Sequence, residues 1–441
     1  MLRRVIYQFF QPPVLMSVMT LAPFAIYWSD FLSEKSLYLS RQVGFDWIAF
    51  TYAWVCACAF LMAYKVGLTF RPRIIVEHLS SSSAIDLRHP WRACLAAWLV
   101  VIILSTIGLG VTVFTVTREG GDYLSEIISR FVAAESATDL LYSSQGFILS
   151  ETVPGIVRML GAWSSAAVIL WLALARAPWR TWLNRLYWPT LAFLLTLNFG
   201  RAIIGGDRTA ALAAFVLAFY VLFVEKHPGI GVGHVKLPRI SQFMKRLSGG
   251  LGALILVIAG LVAYESLGKL RGGQEYNTLL LYGDLGVANL SLAIQTGHGW
   301  TYGLTALLNP VYLVFKVFNV EIDWPSFTSD YISSPPGNLL MYSYWDFHLF
   351  GFMVYIIIGL IAAWVYVRYS HQSQRIVWRV AYLHVLYGLS TSFTVPCFTG
   401  PQYWAGLLAS LIAAWYLDLY ARKRGSHRWS KVSKPLCQDG L

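Results

Sequence analysis

The chain has 441 residues, of which 57% are hydrophobic, 15% aromatic and only 13% charged. Soluble domains average roughly 45–50% apolar and about 25% charged residues, so too few polar side chains remain here to cover a water-soluble surface. The composition excludes an ordinary soluble enzyme and predicts an integral membrane protein. A net charge of +12 would suggest nucleic acid binding in a soluble protein, but in a membrane protein basic residues report orientation. We therefore expect a lipid bilayer, and no nucleic acid, as the partner.

Ten apolar segments are long enough to cross about 30 Å of hydrocarbon as helices at 1.5 Å per residue. They predict an all-α polytopic protein whose residues 1–441 form a single integral membrane domain. The first segment lacks a convincing cleavage site and is expected to remain as a span. The predicted spans are 13–31, 46–68, 93–114, 154–175, 187–204, 209–224, 248–268, 348–367, 380–398 and 402–420.

Basic residues accumulate in every second connection between the predicted spans, including 65–92 and 226–246, and in the tail 421–441. Most of the 22 acidic residues lie in the connections on the opposite side of the membrane. Because Lys and Arg favour the cytoplasmic side, we predict that both termini are cytoplasmic and that 269–347 is a large exterior loop. That loop is far longer than a connection requires, so function is expected there. Its apolar stretch 304–320 is too short to span; it predicts an interfacial or re-entrant helix, or a lid packed on the bundle.

The five cysteines predict neither disulfides nor a metal site. Cys56 and Cys58 lie within an apolar run, without the spacing of a zinc motif, and no even set of cysteines occupies an exterior loop. We expect no metal and no other cofactor.

A first group of candidate residues lies in the short exterior turn between the fifth and sixth predicted spans. Arg201 is about one helical turn inside the membrane boundary, and Arg208 opens the next helix, whose unpaired N–H groups favour anions. Together with two adjacent glycines, these residues predict a phosphate site. In the structural alternative, Arg201 extends to the interface while Asp207 caps the helix and pairs with Arg208.

A second group begins the large exterior loop. Lys269 and Arg271 are basic residues on the side where the orientation rule disfavours them. Binding of an anionic headgroup or pyrophosphate would explain them, and an exposed, solvated pair is the alternative. Glu265 and Asp284 nearby are weaker candidates for a base.

A third group precedes the eighth predicted span. Asp346 follows Tyr344 and Trp345 at the predicted outer interface, where a carboxylate could act as a general base. Capping of the following helix is the structural alternative. His298 and His348 are further titratable groups on this side, although such residues more often form structural hydrogen bonds.

Taken in chain order, these three groups of residues resemble the arrangement of motifs in the Wzy-type oligosaccharide repeat-unit polymerases. The parts that carry the resemblance are Gly-Gly-Asp-Arg-Thr at 205–209, Arg-Gly-Gly at 271–273, Pro-Gly-Asn at 336–338 and Tyr-Trp-Asp-Phe at 344–347. Together with the loop placement, the resemblance extends over roughly 90–400. It implies a GT-C-like glycosyltransferase of the bacterial inner membrane.

The resemblance implies metal-independent transfer of a growing glycan from undecaprenyl pyrophosphate onto a new lipid-linked unit at the periplasmic face, with a chain-length regulator as a candidate partner. Fixed cations would stabilise the leaving pyrophosphate. The implied catalytic residues are Arg208, Arg271 and the base Asp346. The residues expected to bind substrate are Arg201, Lys269, Glu275, Tyr276, Tyr282, Asn338, Tyr344 and Trp345.

Three other functions stay open. O-antigen ligases resemble this architecture but typically carry a His-Asn pair late in the exterior loop, where this chain has Pro336, Gly337 and Asn338, which favours a polymerase. A transporter or flippase of lipid-linked saccharide would show repeated halves and interrupted helices near the midplane, and the sequence shows no clear repeat. A structural subunit of an envelope complex is the third alternative.

Overall fold

The computed structural model describes most of the predicted membrane region and contains only helices there. The described helices are α1 (Pro12–Phe31), α2 (Trp47–Thr69), α3 (Pro90–Gly120), α4 (Trp163–Leu174), α5 (Asn184–Gly205), α6 (Arg208–Phe219), α7 (Thr278–Thr296), α8 (Leu339–Phe347), α9 (Phe352–His371), α10 (Ile376–Thr391) and α11 (Pro401–Ser426). The described residues are 8–31, 46–69, 90–120, 122, 125–126, 129, 159–175, 184–205, 208–225, 278–296, 338–372, 375–392 and 401–426. The all-α prediction is confirmed for this part of the chain.

Among the described residues, three helical stretches are long and apolar enough to cross a membrane. They are Trp47–Thr69, Trp91–Arg118 and Leu339–His371, the last of which contains α8 and α9. Large apolar side chains face outward on these helices, such as Met62 with 65% of its surface exposed and Trp364 with 51%. An outer surface of this kind suits lipid rather than water, so the described part has the character of a membrane protein.

The helices fall largely where the apolar segments lie. Each predicted span contains a described helix except 248–268, which lies outside the described residues, as does 304–320. Sequence analysis did not predict α7, which lies within the predicted exterior loop and packs against α1, α2 and α8. This part of the loop segment therefore belongs to the helix bundle.

Helices α2 and α9 pack closely and run parallel. A Cβ atom added at Gly359 would lie 2.8 Å from the carbonyl oxygen of Phe60, and one added at Gly67 would lie 2.6 Å from Cβ of Ala363. The contacts advance along both helices in the same chain direction, which fixes the parallel arrangement. Small residues allow this approach without a hydrophobic driving force between the helices.

Helices α3, α4 and α5 form an alternating group. The indole nitrogen of Trp171 donates to the carbonyl of Tyr187, near the end of α4 and the start of α5. At the other end of these helices, a Cβ atom added at Gly108 of α3 would lie 2.5 Å from the backbone nitrogen of Ser164. These contacts place α4 antiparallel to both neighbours.

A buried ion pair joins the ends of four helices. Nη2 of Arg379, at the start of α10, lies 2.5 Å from Oε2 of Glu225, just after α6 and the π-helical turn that extends it. Nη1 of Arg379 donates to the carbonyl of Ala173 in α4 at 2.9 Å, and the hydroxyl of Tyr369 in α9 donates to the Glu225 carboxylate. Helices α4, α6 and α9 thus end at the place where α10 begins.

Candidate functional site

The start of α8 is held by a side-chain cap and by α10. Oδ1 of Asn338 accepts a hydrogen bond from the backbone N–H of Met341 at 3.0 Å, the usual geometry of an N-cap. The N–H of Leu339 donates to the carbonyl of Ser392, at the end of α10, at 3.2 Å. Asn338, predicted as a substrate residue, therefore uses one amide atom for the fold.

The middle and end of α8 pack tightly against α2. The hydroxyls of Ser343 and Tyr52 are 3.0 Å apart, and both residues are buried. Gly351, in the 3₁₀ turn that follows α8, leaves no room for a side chain, because a Cβ atom there would overlap the Tyr52 hydroxyl and the Ser343 carbonyl. This close packing fixes the position of α8 relative to α2.

Asp346 is fully buried at the C-terminal end of α8. The structural alternative, in which it caps the following helix, is wrong, because α8 is capped by Asn338 and α9 begins only at Phe352 after Gly351. The carboxyl group therefore lies inside the helix bundle, directly before the break between α8 and α9.

The aromatic neighbours of Asp346 are buried as well. The ring of Tyr344 stacks on His348 with centroids 5.3 Å apart and meets Tyr52 edge to face at 5.6 Å. Trp345 lies edge to face with Tyr342 at 5.5 Å. A saccharide would reach Tyr344 or Trp345 only if the packing around α8 opened.

The backbone breaks between α8 and α9. His348 has φ 48° and ψ −131°, and among the described residues it is the one non-glycine with positive φ. This conformation is unfavourable for a residue with a Cβ atom and costs on the order of 1–3 kcal/mol. The break lies within the apolar stretch Leu339–His371 and directly follows Asp346 and Phe347.

Arg201 lies in a second buried polar group, between α3, α4 and α5. It is only 6% exposed, and its Nη1 donates to the carbonyl of Gly161 at 3.0 Å. One turn earlier on α5, Oδ1 of Asn198 accepts hydrogen bonds from Ser165 at 2.9 Å and Ser164 at 3.4 Å. The alternative in which Arg201 extends to the membrane interface is wrong, since its guanidinium is directed into the helix bundle.

For the remaining predicted site residues, the structure describes either the backbone alone or neither the backbone nor the side chain. Arg208 begins α6 as predicted, and Tyr282 and Asp284 lie in α7, but their side chains lie outside the described part. Outside the described residues altogether are Lys269, Arg271, Glu275, Tyr276, Glu265, His298 and Asp207. The structure thus brings Asn338, Tyr344, Trp345 and Asp346 together on α8, and it places Arg201 against different helices.

Sequence analysis missed a buried histidine that joins α10 to α11. Nε2 of His384 lies 2.7 Å from Oγ of Ser410, and that hydroxyl donates to the carbonyl of Leu407 at 2.9 Å. The imidazole and the hydroxyl thus share one buried hydrogen bond between the two helices, whose direction depends on the tautomer of the ring. The pair is a structural link between helices.

Metal ligation finds no support in the described residues, among which no three His, Cys, Asp or Glu side chains lie close enough to hold an ion.

No family model, no curated protein and no solved structure matches this chain. Its function has to be inferred from its own residues.

Proposed function

We propose that the protein is a membrane glycosyltransferase that polymerises undecaprenyl-pyrophosphate-linked oligosaccharide units into O-antigen, capsular or exopolysaccharide chains. The reaction would take place at the periplasmic face of the bacterial inner membrane. The observation that carries the proposal is the fully buried carboxyl group of Asp346 at the C-terminal end of α8, beside the buried rings of Tyr344 and Trp345 and directly before the backbone break at His348. A carboxylate in such a place is a candidate for proton transfer.

In the proposed reaction a sugar hydroxyl of the new lipid-linked unit attacks the anomeric carbon of the growing chain. The glycosidic C–O bond forms, the bond to undecaprenyl pyrophosphate breaks, and the hydroxyl proton passes to Asp346. The leaving pyrophosphate would be stabilised by Arg208 and Arg271, with Arg201 and Lys269 near them. Fixed cations at developing negative charge lower the barrier most where water is excluded.

The relative helix directions are compatible with the proposed ten-span arrangement, which would be GT-C-like with cytoplasmic termini. Helices α4, α6 and α9 end at the Glu225–Arg379 ion pair, so the chain must return across the bundle between the end of α6 and the start of α9. In the proposed arrangement the predicted span 248–268 would provide that return. The parallel packing of α2 with α9 also agrees, because both would run from the exterior to the cytoplasm.

A transporter of lipid-linked saccharide is the second candidate. The break at His348 interrupts the apolar stretch Leu339–His371, and helices interrupted within the membrane are typical of transporter binding sites. A transporter would move the lipid-linked unit across a bilayer without changing any covalent bond. An O-antigen ligase would instead transfer the glycan to a lipid acceptor of another kind.

The proposal is tested with purified protein in proteoliposomes that contain lipid-linked repeat units. We expect the wild type to produce a ladder of longer glycans and Asp346→Asn to produce none, because the amide cannot accept the proton. Asp418→Asn is the matched control, since Asp418 accepts hydrogen bonds from the N–H groups of Ile376 and Val377 and has a structural role. A folded Asp346→Asn variant with a full ladder would exclude Asp346 as the base. Movement of the unit without elongation would favour the transporter.

A further inference from the structure

Two buried asparagines lie at the contact between α7 and the start of α8. Asn289 of α7 is 0% exposed, and within the described part of the chain neither its amide nitrogen nor its amide oxygen has a hydrogen-bond partner. Asn338 is 2% exposed; its oxygen caps α8, but its Nδ2 likewise has no partner in that part of the chain. Native proteins rarely leave buried amides unpaired, and a site for a bound molecule is one reason for the exception.

The two amides belong to the same helix contact. A Cβ atom added at Gly286 of α7 would lie 2.8 Å from Nδ2 of Asn338, so the missing side chain lets α8 approach with its amide directed at α7. Asn289 follows Gly286 by three residues, and residues with this spacing are neighbours on one helix surface, with about 5–6 Å between their Cβ positions. The contact is closed in this structure, so a ligand hydroxyl would reach the two amides where α7 and α8 move apart.

The chemistry of these atoms indicates what kind of group would bind. Nδ2 of Asn338 is a donor, and Asn289 supplies a donor and an acceptor, all without formal charge. Hydroxyl groups, which both donate and accept, match this set, whereas a phosphate would find no cation in either amide. The amides lie about 12 Å along α8 from Asp346, at 1.5 Å per residue, too far for them to take part in proton transfer there.

We propose that Asn289 and Asn338 form a hydroxyl-binding site that holds a sugar of the lipid-linked substrate away from the reacting bond. This inference rests on the proposed function in taking the hydroxyl-rich ligand to be the lipid-linked saccharide. Because the site binds sugar and the exterior cations bind pyrophosphate, the two parts of the substrate have separate determinants. Loss of the amides weakens binding of the saccharide and leaves binding of the lipid pyrophosphate unchanged.

The test measures Kd for two probes with purified protein in nanodiscs: the lipid-linked repeat unit, and undecaprenyl pyrophosphate without sugar. Asn289→Leu replaces the amide by an apolar group of similar size, and Asn338→Ser keeps an oxygen that can cap α8 while it removes Nδ2. We expect each variant to bind the repeat unit roughly tenfold more weakly, as for the loss of one or two hydrogen bonds. Binding of undecaprenyl pyrophosphate should not change.

Ser105→Ala is the matched control. Ser105 of α3 is also 0% exposed, and its hydroxyl has no partner within the described residues, but α3 packs against α4 and α5 rather than at the α7–α8 contact. Its loss should leave both Kd values unchanged. Thermal unfolding verifies that the variants fold; Asn289→Leu should not lower the midpoint, because it removes an unpaired buried amide.

The outcomes separate this site from the proposed function. If both asparagine variants bind the repeat unit as tightly as the wild type does, the hydroxyl-binding site is wrong, even where the wild type still makes a glycan ladder. If saccharide binding depends on Asn289 and Asn338 but no ladder forms, the site is supported and the polymerase function is wrong. A wild type that does not discriminate between the two probes also contradicts the site.

Discussion

Glu225 and Arg379 adjoin apolar segments in the sequence, where charged residues ordinarily extend into the water beyond a membrane span. The structure instead buries both, with 3% of each side chain exposed. Tyr369 and the carbonyl of Ala173 form further hydrogen bonds with the pair. Removal of one partner leaves the other buried without its counter-charge, which is far more costly than removal of both.

We therefore expect Glu225→Gln to destabilise the protein by about 3–5 kcal/mol. The double variant Glu225→Gln/Arg379→Met should lose less, because no unpaired guanidinium remains. The thermal unfolding midpoint in detergent measures both. A single variant as stable as the wild type, or a double variant less stable than the single one, would contradict this account of the ion pair.

For individual residues, the sequence predicts which ones lie near helix ends but not which of them contact each other in the fold. Glu225 and Arg379 are 154 positions apart, and no local pattern connects residues at such a distance. Asn289 was missed for a related reason, because its burial follows from helix packing that no local sequence pattern records. Arg201 and Asp346 were identified because charge in an apolar segment is itself unusual.

The contact between α2 and α9 depends on glycine at particular positions. Gly359 lies against the backbone of α2, where an added methyl group has no flexible side chain to displace. Gly110 of α3 offers a comparison, because a Cβ atom there would have no neighbour within 4 Å. Both glycines therefore lie within helices, but only Gly359 of the two is packed against another helix.

We expect Gly359→Ala to lower stability by about 1–3 kcal/mol, the usual cost of overpacking. Gly110→Ala should leave stability unchanged or raise it by about 0.5–1 kcal/mol, because alanine favours the helix. Thermal unfolding of both variants in the same detergent provides the measurement. Equal effects at the two positions would show that helix propensity, and not the α2–α9 contact, determines the result.

Hydropathy predicted the long elements well and the interrupted ones poorly. The apolar segments behind α2 and α3 are continuous, so length and composition suffice to place these helices. Helix α7 contains Asp284, Asn289 and Ser291, which made 278–296 resemble loop sequence. The break at His348 was missed because the apolar stretch continues across it, so hydropathy shows no interruption there.

Over the whole molecule, orientation is the prediction with the widest consequences. The predicted ten-span arrangement would place the tail in the cytoplasm and Ser334 outside. We expect a membrane-impermeant maleimide to label Ser334→Cys in intact spheroplasts and to label Cys437 only after permeabilisation. The native Cys437 thus serves as the internal control. Labelling of Cys437 in intact spheroplasts would invert the arrangement and place the candidate residues on the wrong side for periplasmic chemistry.

The ion pair that joins four helix ends also has a consequence for biosynthesis. Glu225 enters the membrane region 154 positions before its partner, and at about 5–20 residues per second the ribosome needs roughly 8–30 s to supply Arg379. During that interval the carboxyl group of Glu225 lacks the guanidinium group that pairs with it in the folded protein. The ends of α4, α6 and α9 therefore reach their final arrangement only after α10 has been inserted, which makes the assembly of this protein a late event in its own synthesis.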